Sequence, residues 1–130
     1  MKKEFIRTES APLPLGPYSQ AVKVEGVVYV SAQIPINPES GKLAEGGIEG
    51  QTHQVLENIS NILKAAGMSL SDVVKVSVFL RDMGNFGKMN EVYKSYFKEG
   101  EYPARAIIPV KELPLGAELG MECIAIAEKS

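Results

Sequence analysis

Residues 48–80 read IEGQTHQVLENISNILKAAGMSLSDVVKVSVFL, and the change of hydrophobic period within this stretch decides the fold class. From Ile48 to Ala66 the inward side (Ile48, Thr52, Val55, Leu56, Ile59, Ile62, Leu63, Ala66) recurs at three- and four-residue steps. That spacing predicts an amphipathic helix, with Gly67 following as its C-cap residue. Val73 to Leu80 (VVKVSVFL) is instead rich in β-branched residues and places Val74, Val76, Val78 and Leu80 on one face, the pattern of a strand.

Working outward, Ala21–Val24 and Val27–Val30 are two apolar runs separated by Glu25 and Gly26, a two-residue spacing that predicts a hairpin. The segment from Ala11 to Gly16 (APLPLG) holds two prolines and a glycine and is expected to be extended loop. Pro35, Asn37, Pro38, Ser40 and Gly41 mark a surface loop before the helix. On the other side, Phe86, Met89, Asn90, Tyr93, Tyr96 and Phe97 predict a second helix ending near Gly100. Ala106–Val110 and Leu119–Ala127 are strand-like, joined by a turn through Leu113, Pro114, Leu115 and Gly116.

The order is ββ–α–β–α–β–β, an α+β chain in one domain over residues 1–130. If the strands flanking the first helix are parallel, their crossover is right-handed. Two helices can cover only one face of a sheet of five or six strands. Several strands are nevertheless apolar on both sides, with Val73 beside Val74, Ile107 beside Ile108, and Met121 and Cys123 beside Ile124 and Ile126. The uncovered face is therefore expected to bury against another copy of the chain.

Composition sets bounds on partners. With 45% hydrophobic and 23% charged residues, a chain this long can bury a core without staples. A net charge of -2 gives no electrostatic ground for nucleic acid or an anionic membrane. Cys123 is alone, so no internal disulfide forms, and a reducing compartment is expected. The opening Met1-Lys2-Lys3-Glu4-Phe5-Ile6-Arg7 leads into no apolar stretch fit for a signal peptide or a membrane span. The expectation is a soluble, cytoplasmic protein.

Arg105 is the most informative candidate for chemistry. It lies in an apolar setting, Tyr102-Pro103-Ala104-Arg105-Ala106-Ile107-Ile108, where a guanidinium needs a partner. Charge and context favour a structural salt bridge to Glu118 or Glu122; the alternative is a fork gripping a ligand carboxylate. Asn90 falls on the apolar side of its helix, and most buried asparagines are satisfied by backbone. Tyr18 follows Gly16-Pro17 and is either a core anchor or a pocket wall. His53 has no second histidine or cysteine cluster, so no metal site is expected. Cys123 has the setting of inert core, and Glu45-Gly46-Gly47 lacks the spacing of a phosphate loop.

These residues resemble the Rid/YjgF family. Ala11-Pro12 with Gly16-Pro17-Tyr18-Ser19-Gln20-Ala21 is similar to its amino-terminal block, and Tyr29-Val30-Ser31-Ala32-Gln33-Ile34-Pro35 to the next. Gln51, Gln54, Asn58, Ile62-Leu63 and Ala66-Gly67 fit its first helix. Residues 74–80, then Asp82-Met83, Phe86, Asn90 and Tyr93, fit its central strand and second helix, and Pro103-Ala104-Arg105, Leu113-Pro114, Glu122, Ile124 and Ala125 complete the set.

The resemblance implies a chorismate-mutase-like fold, a mixed sheet with two helices on one face, assembled as a homotrimer with ligand clefts between subunits. It implies hydrolytic deamination of reactive 2-imino or enamine acids to 2-keto acids and ammonia, with no cofactor and no metal. Arg105 would hold the substrate carboxylate, helped by backbone amides near Ser31-Ala32 and Ile107, with Tyr18 and Asn90 lining the cleft.

The chain departs from the family at the last strand. Where the family has Glu-Ile-Glu this sequence has Gly120-Met121-Glu122, so the water-handling glutamate falls on Gly120. Ile107 replaces a cysteine, Ala106 a serine or threonine, and Ala32 a glycine. A non-catalytic protein binding a small carboxylate, such as a 2-keto acid, in the same cleft is the alternative. A ribonuclease or translation inhibitor, as relatives have been labelled, is disfavoured by the acidic balance and the lack of a basic, aromatic-interleaved patch.

Overall fold

The computed structural model describes residues 1–127. The strands are β1 (Lys3–Ile6), β2 (Ala21–Val24), β3 (Val27–Gln33), β4 (Val73–Leu80), β5 (Ala104–Pro109) and β6 (Leu119–Ile126); the helices are α1 (Gly47–Ala65) and α2 (Phe86–Lys94). One sheet holds all six strands in the order β1-β2-β3-β6-β4-β5. Only β4 and β5 pair in parallel; the other neighbours are antiparallel. Since β3 and β4 both run antiparallel to β6, the strands flanking α1 point the same way, one place apart.

The elements follow the sequence pattern with four differences, the first being Val74: the β4–β6 register shifts between Val73 and Lys75, so Val73 is buried and Val74 leaves the face of Val76, Val78 and Leu80. β1 has no counterpart in the sequence pattern because only Ile6 of its four residues is buried, leaving no alternation to detect. α2 ends at Lys94, where the Ser95 hydroxyl donates to the Val92 carbonyl at 2.6 Å. Tyr96 and Phe97 keep the helical spacing and still pack on the core beyond that end. β5 starts at Ala104, so Arg105 is a strand residue. The β2–β3 hairpin turns on Glu25 and Gly26, both at positive φ (48° and 79°), as a two-residue turn matching strand twist requires.

The core lies between the helices and one side of the sheet. Leu119, Met121, Cys123 and Ala125 of β6 alternate inward with Val76, Val78 and Leu80 of β4, against Val55, Leu56, Ile59, Ile62 and Leu63 of α1. The intervening residues form the other face, which no helix covers. Among the apolar side chains off the core, Phe5, Tyr29, Ile126 and Ile108 remain 66%, 50%, 46% and 38% exposed. The expected uncovered face is therefore present and partly apolar. No helix among the described residues is long and apolar enough to cross a membrane.

Candidate functional site

The candidate residues gather in two places. Arg105 lies on β5 opposite Val76 in the register, and it rests under α2. Its Nη1 donates to the Asn90 side-chain oxygen at 2.7 Å. The guanidinium carbon stands 4.7 Å from the Tyr93 ring centre and 5.7 Å from that of Phe86, so two aromatic faces and one amide cradle the charge. The ion pairs among the described residues are Arg81–Glu118, Lys94–Glu91 and Lys98–Glu101. The salt bridge favoured from charge and context is thus not formed: Glu118 is taken by Arg81, and Glu122 projects from the uncovered face. Nor is Asn90 held by backbone, since its amide oxygen serves Arg105. A half-buried guanidinium with no carboxylate opposite it is suited to accept one from a ligand.

The surrounding cavity, about 390 Å³, is lined by Asn90, Tyr93, Lys94, Tyr102, Pro103 and Arg105. The Tyr93 hydroxyl is buried beside it without a hydrogen-bond partner. Burial pushes this phenol up to about 12, against the easing effect of the Arg105 charge. Ile107 lies two residues along β5 and packs against the core. β5 is an edge strand, so backbone donors on its outer side lack a sheet partner.

The second place is on the uncovered face. Tyr18, Ser31 and Ala32 surround a cavity of about 610 Å³ together with Leu15, Ile34, Phe79, Leu113, Gly120 and Glu122. A bulge builds it: Val30 pairs with Cys123 and Gln33 with Met121, so Ser31 and Ala32 face the single residue Glu122. Ser31 is fully engaged with the loop before β2, its N–H donating to Gln20 O at 2.9 Å and its hydroxyl to Ser19 O at 2.6 Å. Backbone donation to a ligand from this pair would therefore come from Ala32. Tyr18 is half exposed, and its hydroxyl accepts from Leu15 N at 3.5 Å.

Gly120 is buried under the bulge, where a Cβ would lie 3.2 Å from the Gln33 carbonyl oxygen. Glycine there fits the backbone of this chain. Of the two glutamates flanking it, only Glu122 opens onto the cavity.

Three contributors escape a reading of single candidates in the sequence. Buried Gln20 accepts from Thr8 N and donates to the Thr8 and Pro12 carbonyls, tying down the loop that carries Tyr18. Tyr93 and Phe86 cradle Arg105; their position three and four residues from Asn90 on one helix face is the available signal. The remaining candidates are placed elsewhere. His53 Nδ1 meets the Tyr96 hydroxyl at 3.0 Å on the surface, and no metal-binding cluster exists among the described residues. The Cys123 thiol is pushed up to about 12, by burial first and Glu122 second, and stays protonated.

Residues 8–127 match the family model described as Endoribonuclease L-PSP. The chain is 53% identical over 128 residues to a RutC family protein of Pyrococcus abyssi, covering 98% of this chain and 100% of the relative. It is 46% identical over 124 residues to the mouse 2-iminobutanoate/2-iminopropanoate deaminase, covering 95% and 91%. Among solved structures, TdcF of E. coli with bound serine superposes with a TM-score of 0.91 at 38% identity, covering 96% and 99%.

Proposed function

The chain belongs to the Rid/YjgF family, the Endoribonuclease L-PSP family of the matching model, and on that ground we propose that it hydrolyses 2-imino acids to 2-keto acids and ammonia. The observation that carries the reading is Arg105, a guanidinium oriented by Asn90, Tyr93 and Phe86 with no carboxylate partner among the described residues. The name of the mouse relative supports the reaction class.

In the proposed mechanism Arg105 holds the substrate carboxylate through paired N–H donors, beside backbone donors near Ile107. Water adds to C2 of the imine and the nitrogen takes up a proton. The C–N bond of the resulting carbinolamine then breaks, releasing ammonia as the C2 hydroxyl gives up its proton to become the keto oxygen. No oxidation state changes, so the step asks for neither redox cofactor nor electron acceptor. Tyr18 and Ala32 wall the site, and Glu122 is the carboxylate that opens onto the cavity where Gly120 leaves none.

The residues split between two cavities that share no lining residue, one beside α2 and one on the uncovered face. This favours a site completed between copies, and a homotrimer formed through the uncovered faces brings the two halves together. The working compartment is the cytoplasm. A second reading, a non-catalytic receptor for small 2-keto acids, is favoured by Gly120, because removing a general acid or base typically lowers rate by about two to four orders of magnitude.

The test generates 2-iminobutanoate in situ and lets the protein compete with semicarbazide for it, with wild type and Arg105→Ala in parallel. Accelerated imine loss that falls about 10- to 100-fold in Arg105→Ala is expected, from about 1.5–3 kcal/mol for a hydrogen bond to a charged group. An inert wild type that still binds 2-oxobutanoate through Arg105 would transfer the conclusion to the receptor reading. Sedimentation velocity reads the oligomer.

A further inference from the structure

Resting on the imine-hydrolase reading, we propose that this chain selects imino acids with bulky apolar side chains, and that Gly120 and the wall around it make that selection. The cavity at Gly120 holds about 610 Å³ on the single chain, within the range of small-molecule sites. Its wall is built from Leu15, Ile34, Phe79 and Leu113, with Gly120 as its floor. Of the polar groups that could offset this character, Glu122 and the Ala32 N–H remain open to the cavity and the others are engaged. Both the N–H and the hydroxyl of Ser31 are donated to the Ser19–Gln20 backbone, and the Tyr18 hydroxyl is turned back to Leu15 N.

Gly120 contributes twice. It leaves unfilled a volume that any side chain would occupy, and it adds no second carboxylate to that of Glu122, where further charge would oppose a hydrocarbon neighbour. The backbone there is close-packed, since the β3 bulge brings the Gln33 carbonyl to 3.2 Å from the site of a Cβ.

The expected selectivity follows from burial. At about 0.8 kcal/mol per buried CH₂, each contributes roughly fourfold. The imine of leucine carries three more side-chain carbons than that of alanine. Full burial would give about 60-fold, and partial burial about tenfold.

The experiment uses the full chain and one generator, a D-amino-acid oxidase supplied with D-alanine or D-leucine, which yields imines that differ only in side chain. Semicarbazide trapping then gives relative kcat/KM. In parallel, calorimetric titration compares pyruvate with 2-oxo-4-methylpentanoate. We expect the leucine-derived imine to be favoured at least tenfold, and the longer keto acid to bind correspondingly tighter. In a folded Gly120→Glu variant the preference falls toward unity.

Turnover of both imines with equal rates, or with the smaller one favoured, overturns the selectivity while leaving the hydrolase reading standing. No turnover of either sinks the hydrolase reading, and the keto-acid titrations then decide: tighter binding of the longer acid upholds the selective pocket, and equal or absent binding overturns it. The wild-type ratio is decisive by itself, so the selectivity stands or falls on it even where Gly120→Glu fails to fold.

Discussion

Replacing Tyr93 by phenylalanine separates two roles that one side chain performs under Arg105. The ring face lies 4.7 Å from the guanidinium carbon, while the buried hydroxyl has at most a poorly aligned approach to Arg105 and no partner at full hydrogen-bond geometry. An unsatisfied buried hydroxyl costs about 1–3 kcal/mol relative to water. Phenylalanine relieves that penalty and keeps the ring, so Tyr93→Phe is expected to stabilise the protein by about 1 kcal/mol, or roughly 3–5 °C in Tm for a chain of this size. Tyr93→Leu removes the ring as well. It loses about 3 kcal/mol through the cavity it leaves, and a cation–π term of about 0.5–2 kcal/mol that positions Arg105.

Urea and thermal melts at one fixed protein concentration read the stabilities, since an oligomer's apparent stability depends on concentration. Kinetics with an in situ imine read the positioning. Tyr93→Phe should keep KM within about threefold, and Tyr93→Leu should raise KM about tenfold with a smaller change in kcat. A Tyr93→Phe protein less stable by about 1 kcal/mol would show that the hydroxyl has a partner. An unchanged KM in Tyr93→Leu, alongside a large rise in Arg105→Ala, would refute the cradle argument.

Three further outcomes are expected. Gly50→Ala places a methyl 1.9 Å from the Glu45 carbonyl oxygen at the start of α1, so it should lose about 3 kcal/mol, read as a lowered urea midpoint with an unchanged slope. Asn90→Asp puts a carboxylate where an amide oxygen now lies 2.7 Å from Arg105; that internal ion pair should raise the KM for imine at least tenfold without loss of thermal stability. The third concerns alkaline pH. Cys123, with an ordinary value of 9.0, and Tyr93 and Tyr96, with 10.0, are each pushed up to about 12, chiefly by burial. The folded state thus keeps protons the unfolded chain releases; stability should be complete below about pH 9 and fall from there to about pH 12, with Cys123→Ala moving the onset toward pH 10 in melts across that range.

Legibility in the sequence followed the strength of local patterns. α1, β4 and β6 have long apolar periods, and their faces are those the spacing indicates except at Val74, which a register shift turns away from Val76, Val78 and Leu80; in β6 Leu119, Met121 and Cys123 are inward and Glu122, Ile124 and Ile126 outward. β1 and the true end of α2 depend on partners and on one hydroxyl–carbonyl bond, which periodicity does not encode. Arg105 could be singled out because a guanidinium in an apolar strand needs an explanation. Its partner could not be read: Glu118 and Glu122 were plausible in sequence distance, and only the sheet order sends one to Arg81 and the other to the opposite face. Gly120 was visible as a departure from the family, but its close surroundings were not. The Gln33 carbonyl reaches it across a bulge that two small residues, Ser31 and Ala32, form without any turn signal.

The arrangement of the sheet bears directly on how such a chain could act. A strand presents alternate residues to opposite faces, and Arg105 takes the helix side at the edge while the Gly120 cavity opens on the other. Within one chain no small rearrangement unites them, because moving Arg105 to the other face means slipping β5 by one residue and exposing Ile107, which packs on the core. A neighbouring copy resolves the conflict at little structural expense: seated on the uncovered face, it covers the apolar residues left there and can bring its own β5 edge toward the cavity. On the proposed trimer, then, assembly and ligand binding are one event. Weakening the face, for example by Tyr29→Lys on its half-exposed surface, should make activity depend on protein concentration while leaving the Arg105 cradle of each chain intact.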